Sequence, residues 1–183
     1  MKEEIATCVG WLFEQGLTSA LDGNVSARVA ELIYMSPTNV PRYRVKAADV
    51  SVVTKRGDHL EGKPPSTELP THLAIYNVTD SAAVVHTHSR FATALACLRR
   101  DLRPPDVEGE RFLGLIPLIP YAPPGSSELA EAVSTGIKGF RGGLLENHGL
   151  IAIGEDPEEA CIVAESIERA ARLVFDLHLI GRQ

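Results

Sequence analysis

Val84-Val85-His86-Thr87-His88-Ser89 decides how the rest of the chain is read. Two apolar β-branched residues lead into a His-x-His pair. On a strand, where side chains alternate between faces, both imidazoles fall on the same side and can present two nitrogens to one cation. Working outward, Ala82–His88 reads as a strand, and four further stretches carry residues suited to completing a site: Gly23-Asn24-Val25-Ser26, Ser36-Pro37-Thr38-Asn39, Pro65-Ser66-Thr67-Glu68 and Glu146-Asn147-His148-Gly149. Three neutral imidazoles leave an open position on Zn²⁺ for water or substrate. His86, His88 and His148 can supply them, with Glu68 as a fourth ligand or as a base. A His-x-His pair alone serves core hydrogen bonding more often than metal binding. The Asn-His-Gly turn and the carboxylate at a helix start shift the reading toward a divalent metal. His59, His72 and His178 lack such a context and read as surface or structural residues.

Gly23-Asn24 and Thr38-Asn39 offer small residues, amides and hydroxyls on loops. Ser66-Thr67 adds hydroxyls at a helix N-terminus, where free N–H groups and the helix dipole favour an anion. Together they can hold a phosphate, although each taken singly is also an ordinary turn or cap.

Around these motifs the periodicity predicts an α/β chain. Ile5, Cys8, Val9, Leu12 and Phe13 follow a helical period that closes near Gly16. Val25–Val29, Leu32–Met35 and Val50–Thr54 read as strands, with a turn at Arg56-Gly57-Asp58. Ser66 or Thr67 is expected to cap a helix running to about Asn77, with Pro70 tolerated in its first turn and Leu69, Leu73, Ile75 and Tyr76 on its buried face. A helix from about Ser89 to Arg100 should turn Phe91, Ala94, Leu95 and Leu98 inward. Asp101–Leu115 mixes charge, proline and glycine and reads as a long loop. Ile116–Ile119 reads as a strand, Ser127 as the cap of a helix through Phe140, Gly142–Ile153 as strand, turn and strand, and Pro157 as the start of a final helix through Leu177. The expectation is one domain over residues 1–183, an α/β sandwich in which helices flank a central sheet, antiparallel or mixed.

Composition narrows the function. Of 183 residues 44% are hydrophobic and 23% charged, as in an ordinary globular protein, and the net charge of −6 argues against nucleic acid or an anionic membrane as partner. An anionic substrate must then be held by local groups. Cys8, Cys97 and Cys161 are far apart and set in apolar surroundings, so they read as buried free thiols. With no apolar leader and no stretch of transmembrane length, the expected location is the cytoplasm.

Gly23-Asn24-Val25-Ser26-Ala27-Arg28, Ser36-Pro37-Thr38, Pro65-Ser66-Thr67-Glu68, Val84-Val85-His86-Thr87-His88-Ser89 and Asn147-His148-Gly149, in this order, resemble the class II aldolase and adducin head family over essentially the whole chain. The resemblance implies the α/β/α sandwich, one Zn²⁺ per subunit on His86, His88 and His148, Glu68 as metal ligand and catalytic base, and a homotetramer with sites between subunits. It also implies phosphate loops at Gly23 and Asn24, at Thr38 and Asn39, and at Ser66 and Thr67. The implied reaction is aldol cleavage of a ketose 1-phosphate such as L-fuculose 1-phosphate to dihydroxyacetone phosphate and lactaldehyde, through a metal-stabilised enediolate.

The chain departs from that pattern in four places. Asp22 precedes Gly23-Asn24 where a hydroxyl is usual, and Asn39 stands where glycine is frequent. The tyrosine acid of the aldolases has no clear match, leaving Asp106, Glu108 or Tyr121 as candidates. The sequence also stops at Gln183, short of the tail of longer members. A carboxylate in the tyrosine's place would suit a pentulose-phosphate 4-epimerase or a methylthioribulose-1-phosphate dehydratase on the same metal. A non-catalytic adducin-like module is the third reading, and the complete histidine and glutamate set speaks against it.

Overall fold

The apolar run before His86 forms β5 (Ala83–Thr87), all five of whose residues are buried. The computed structural model describes residues 1–181. Its eight strands are β1 (Asn24–Val29), β2 (Leu32–Met35), β3 (Ser51–Thr54), β4 (His59–Glu61), β5, β6 (Leu118–Ile119), β7 (Gly142–Leu145) and β8 (Gly149–Gly154). They form one sheet in the order β4-β3-β2-β1-β5-β8-β7-β6. Every pairing is antiparallel except β6 with β7. Six helices cover it: α1 (Lys2–Glu14), α2 (Leu69–Val78), α3 (Arg90–Cys97), α4 (Val107–Leu113), α5 (Ser127–Gly136) and α6 (Pro157–Leu179).

Strand alternation sorts these helices into two layers. Val25, Ala27, Ala83, Val85, Leu150 and Ala152 pack on one face with α1, α3, α4 and α6. Val84, Ile151, Ile33 and Met35 pack on the other with α2 and α5. Each of the fully buried Val, Leu, Ile and Met side chains among them stabilises the fold by about 1.5–3 kcal/mol relative to exposure. The predicted α/β/α sandwich with a mostly antiparallel sheet is therefore the fold. On β5 the period of two puts His86 on the Val84 face, toward α2, and this brings Glu68 within its reach.

Several expectations are corrected. Glu68, not Ser66 or Thr67, is the N-cap residue of α2, and Pro70 falls in the first turn as expected. Ser66 acts one step earlier: its Oγ accepts the Glu68 N–H at 3.3 Å and its carbonyl accepts the Leu69 N–H at 3.1 Å. The stretch read as a loop over 101–115 contains α4, capped by Asp106, whose Oδ1 accepts the Gly109 N–H at 2.8 Å. Ser126, not Ser127, caps α5, which ends at Gly136 rather than at Phe140. On α3 the buried residues are Ala92, Leu95 and Ala96, while Ala94 and Leu98 face out. Strand β4 was not expected. Cys97 is exposed, whereas Cys8 and Cys161 are buried as anticipated. Among the described residues no helix is long and apolar enough to cross a membrane.

Candidate active site

Three imidazoles converge where β5 ends and the β7–β8 turn begins. His86 is the penultimate residue of β5, and His88 lies one residue beyond the strand but still on its face. Asn147 takes φ +58°, a left-handed turn conformation that asparagine tolerates better than most residues, and the turn it makes delivers His148. Gly149 lets that turn close on β5, because a Cβ there would stand 2.3 Å from the Thr87 carbonyl oxygen and 3.1 Å from His88 Cδ2. The three rings are stacked edge to face with centroids 4.7 to 4.9 Å apart.

Hydrogen bonding orients the rings. His86 Nδ1 lies 2.8 Å from the Leu150 carbonyl oxygen. A carbonyl only accepts, so the ring proton sits on Nδ1 and the Nε2 lone pair faces the cluster. His86 Nε2 is 2.9 Å from His88 Nε2, 3.2 Å from Glu68 Oε2, and on the far side His148 Nε2 is 3.3 Å from Glu68 Oε1. Burial lowers the pKa of His86 to about 3, with His88 pushing in the same direction. Burial likewise lowers His148 to about 4, reinforced by His86 and opposed by Glu68. Both rings are neutral near pH 7, so their contacts with Glu68 are not ion pairs. The His86 Nε2 lone pair thus faces His88 Nε2 at 2.9 Å and Glu68 Oε2 at 3.2 Å, a position that a proton or a cation satisfies.

Such a donor set can hold a metal ion. The ligating atoms of His86, His88 and His148 all lie within 4.8 Å of one another. A tetrahedral ion with bonds of about 2.0–2.1 Å needs nitrogens roughly 3.3 Å apart, a spacing between the 2.9 Å of His86–His88 and the 4.8 Å that bounds the cluster. His88 is exposed while the His86 and His148 side chains are buried, so within one chain the cluster meets solvent at the His88 ring.

The carboxylate is braced from β1. Asn24 Nδ2 donates to Glu68 Oε2 at 3.4 Å. Deeper along the same two elements, Ser26 Oγ lies 2.6 Å from His72 Nδ1 and 2.7 Å from Tyr76 Oη, and Arg28 Nη1 donates to the Tyr76 carbonyl at 2.7 Å. Glu68, His72 and Tyr76 recur every fourth residue on α2, and Asn24, Ser26 and Arg28 every second residue on β1. The two periods meet as one buried polar seam that fixes α2 against β1. His72 is completely buried, so the expectation of a structural role is met in the core, while His59 and His178 are exposed. The seam escaped sequence reading because the partners are 46 and 50 residues apart. The i, i+4, i+8 spacing on α2 was the available signal.

The three loops of small and hydroxylic residues also adjoin. Val25 N–H donates to Ser36 Oγ at 3.0 Å, Thr38 N–H to the Pro64 carbonyl at 3.0 Å and Ser66 N–H to the Ser36 carbonyl at 3.3 Å. Asn24 and Ser66 are buried, whereas Asn39 and Thr67 face solvent. Asn39 has φ +55°, which accounts for an asparagine where glycine would also serve. Among the described residues of this group, Asn24 is the one whose side chain hydrogen-bonds a side chain of the histidine and carboxylate cluster.

The candidates for a second acid separate. Asp106 is committed to capping α4 and to Arg169, 3.3 Å away, and its backbone bond to Gly109 holds its pKa below the usual carboxylate range. Glu108 is exposed on α4. Tyr121 is 56% exposed, and its N–H donates to Glu146 Oε2 at 3.2 Å. Glu146 also accepts from Arg99 Nε at 2.6 Å, so it braces the turn that carries His148.

The family model of the Class II Aldolase and Adducin N-terminal domain matches residues 3–175. The chain belongs to this family. An L-fuculose phosphate aldolase from Methanococcus maripaludis is 39% identical over 165 residues, 90% of each chain. Among solved structures, an L-fuculose 1-phosphate aldolase superposes with a TM-score of 0.92 at 29% identity, covering 98% of this chain and 87% of that one. The L-fuculose-1-phosphate aldolase of Thermus thermophilus superposes with a TM-score of 0.86 at 31% identity, covering 96% of this chain and 93% of that one. The class II aldolase family, these relatives and the histidine cluster make the chain a lyase of the aldolase type with a site for a divalent metal.

Proposed function

We propose that the protein cleaves a ketose 1-phosphate of the L-fuculose 1-phosphate type to dihydroxyacetone phosphate and an aldehyde, lactaldehyde for fuculose phosphate, with Zn²⁺ as its metal. The observation that carries the reading is Glu68 closed across a convergent histidine triad, 3.2 Å from His86 and 3.3 Å from His148. Zn²⁺ on His86, His88 and His148 would supply Lewis-acid polarisation of the substrate's carbonyl and neighbouring hydroxyl oxygens. Glu68 occupies the place where those oxygens must arrive, so substrate displaces its carboxylate toward the carbon beside the carbonyl. There it moves the proton that is gained when the carbon–carbon bond breaks and lost when it forms. Asn24 keeps the carboxylate oriented, and the Leu150 carbonyl keeps His86 in its ligand tautomer. Gly23 and Asn24, Thr38 and Asn39, and Ser66 and Thr67 receive the phosphate, a role supported by the hydrogen bonds that join their loops.

The hydroxyl that becomes the aldehyde carbonyl must give up its proton as the carbon–carbon bond breaks and take it back in the reverse addition, and this transfer falls to Tyr121 rather than Asp106, since the Asp106 carboxylate is already engaged. The reading includes a cytoplasmic homotetramer with sites between subunits. It follows the family resemblance, and the exposure of His88 at the edge of the cluster leaves that ring open to a neighbouring subunit. The test is the Glu68→Gln variant of the zinc-loaded protein. It should keep its metal, yet release dihydroxyacetone phosphate from L-fuculose 1-phosphate at least about a hundredfold more slowly, in line with loss of a general base. An unimpaired rate would remove Glu68 from the mechanism. Zinc-loaded wild type that turns over a pentulose phosphate without cleaving it would move the reading to epimerase chemistry.

A further inference from the structure

Arg42 is 4% exposed and stands at the start of a short 3₁₀ turn, Arg42–Arg44, that follows the Thr38-Asn39 loop. Its guanidinium donates from Nε to the Asp22 carbonyl at 2.9 Å, from Nη2 to the Leu21 carbonyl at 2.9 Å and from Nη1 to the Pro37 carbonyl at 3.0 Å. Its backbone N–H donates to the Ala20 carbonyl at 2.8 Å. One side chain thus ties residues 20–22, just before Gly23-Asn24, to Pro37, just before Thr38-Asn39.

No carboxylate contacts that side chain among the described residues. Among the described residues its hydrogen bonds all go to carbonyls, and none of the ion pairs includes it. Burial pushes its pKa down and nearby Asp22 draws it part of the way back, while an arginine stays protonated in any protein environment. A buried cation without an anion in contact is costly unless something compensates it.

The peptide geometry shows where the charge is felt. The peptide units here are trans, so each N–H points opposite to the carbonyl of its own unit. The Leu21 and Asp22 carbonyls face the guanidinium, which turns the N–H groups of Asp22 and Gly23 away from it with their positive ends outward. Gly23 takes φ +70°, and a Cβ there would stand 2.5 Å from Thr18 Cγ2 and 2.9 Å from the His86 carbonyl oxygen. The loop therefore lies directly against β5 beside the histidine cluster. The net charge of the chain is −6, Gly23, Asn24, Thr38, Asn39, Ser66 and Thr67 carry no charge, and Asp22 adds a negative one. A phosphate dianion at these loops needs a cation that they do not themselves contain.

We propose that Arg42 is the positioning residue and buried counter-charge of the phosphate subsite: it sets the two loops in register and supplies the positive potential that the phosphate end of the substrate meets. The inference rests on the aldolase reading above. It concerns a residue outside the motifs that define the family resemblance.

The test uses zinc-loaded wild type, Arg42→Gln and Arg42→Lys. Binding of dihydroxyacetone phosphate and of dihydroxyacetone, which lacks the phosphate, is measured by titration calorimetry, and cleavage of L-fuculose 1-phosphate by steady-state kinetics. In Arg42→Gln the Kd for dihydroxyacetone phosphate and the KM should rise about tenfold, the scale of one lost charge-assisted interaction, with kcat within about threefold. Dihydroxyacetone should bind as in wild type, and Arg42→Lys, which keeps the charge but loses the planar fork, should fall between. Wild-type affinity for dihydroxyacetone phosphate in the folded variants would overturn the proposal, as would equal weakening of both ligands, which would mark a purely structural role. If Arg42→Gln does not fold, Arg42→Lys decides, and an unchanged Kd there overturns the proposal. Wild type that neither cleaves the sugar phosphate nor binds dihydroxyacetone phosphate would overturn the aldolase reading itself. Wild type that does both beside unaltered variants would overturn only the role of Arg42.

Discussion

Acid should unfold the metal-free protein through its buried histidines, and His72 gives the cleanest measure. Burial is the main cause that lowers its pKa from 6.5 to about 3, with Glu68 pulling it back up and His86 pushing it further down. The sign follows from linkage: below pH 6.5 the unfolded chain takes up a proton that the native ring refuses. The stability contributed by the neutral ring is fully present above pH 6.5 and is lost as pH falls toward 3, at about 1.4 kcal/mol per pH unit. Between pH 7 and pH 4.5 His72 alone should cost the fold about 3 kcal/mol. His86, also lowered to about 3, should add a similar loss. Replacing His72 by Asn removes the titration while leaving a polar atom for Ser26. Urea unfolding followed by circular dichroism in the presence of chelator, at both pH values, gives the comparison. The variant should be less stable than wild type at pH 7 because the seam is damaged, yet lose about 3 kcal/mol less on acidification. Equal losses in the two proteins would refute the claim that His72 is held neutral.

Two other substitutions probe the site from its edges. His88→Ala removes an exposed ring, so elemental analysis should show bound zinc falling well below one equivalent while the metal-free protein unfolds within about 0.5 kcal/mol of wild type. Retained stoichiometry would remove His88 from the ligand set. Gly23→Ala forces a Cβ to within 2.5 Å of Thr18 Cγ2 at φ +70°. It should cost about 2 kcal/mol or more, from the left-handed backbone and the clash together, and should slow cleavage by displacing Asn24 from Glu68. A thermal melt and a turnover assay check both parts.

The residues that could be read in advance are those whose signal is local. β5, β8 and α6 carry apolar periods long enough to specify both element and face, and His86, His88 and His148 stand in short motifs whose spacing is itself the message. The elements that were missed lack such a signal. β4 consists of three exposed residues at the sheet edge, so no buried alternation marks it. α4 has only seven residues, follows Pro104-Pro105 and contains Gly109, and Asp106 as its cap becomes visible only once the helix is there. Glu68 displaced Ser66 and Thr67 as the cap because Ser66 spends its carbonyl on Leu69 and its amide on Ser36 across the loops. Arg42 was invisible for a different reason. In Pro41-Arg42-Tyr43-Arg44 it reads like any surface cation, and its burial depends on carbonyls 20 to 22 residues earlier and at Pro37. Long-range polar partners of this kind leave no periodic trace in a single sequence.

Metal dependence of the cleavage itself tests the account most directly. The protein, stripped with chelator and titrated with Zn²⁺, is assayed for dihydroxyacetone phosphate released from L-fuculose 1-phosphate. Activity should be absent in the stripped protein and return in proportion to zinc up to one equivalent per chain. Undiminished activity after stripping, or no cleavage at any zinc content, would contradict a metal aldolase built on His86, His88 and His148.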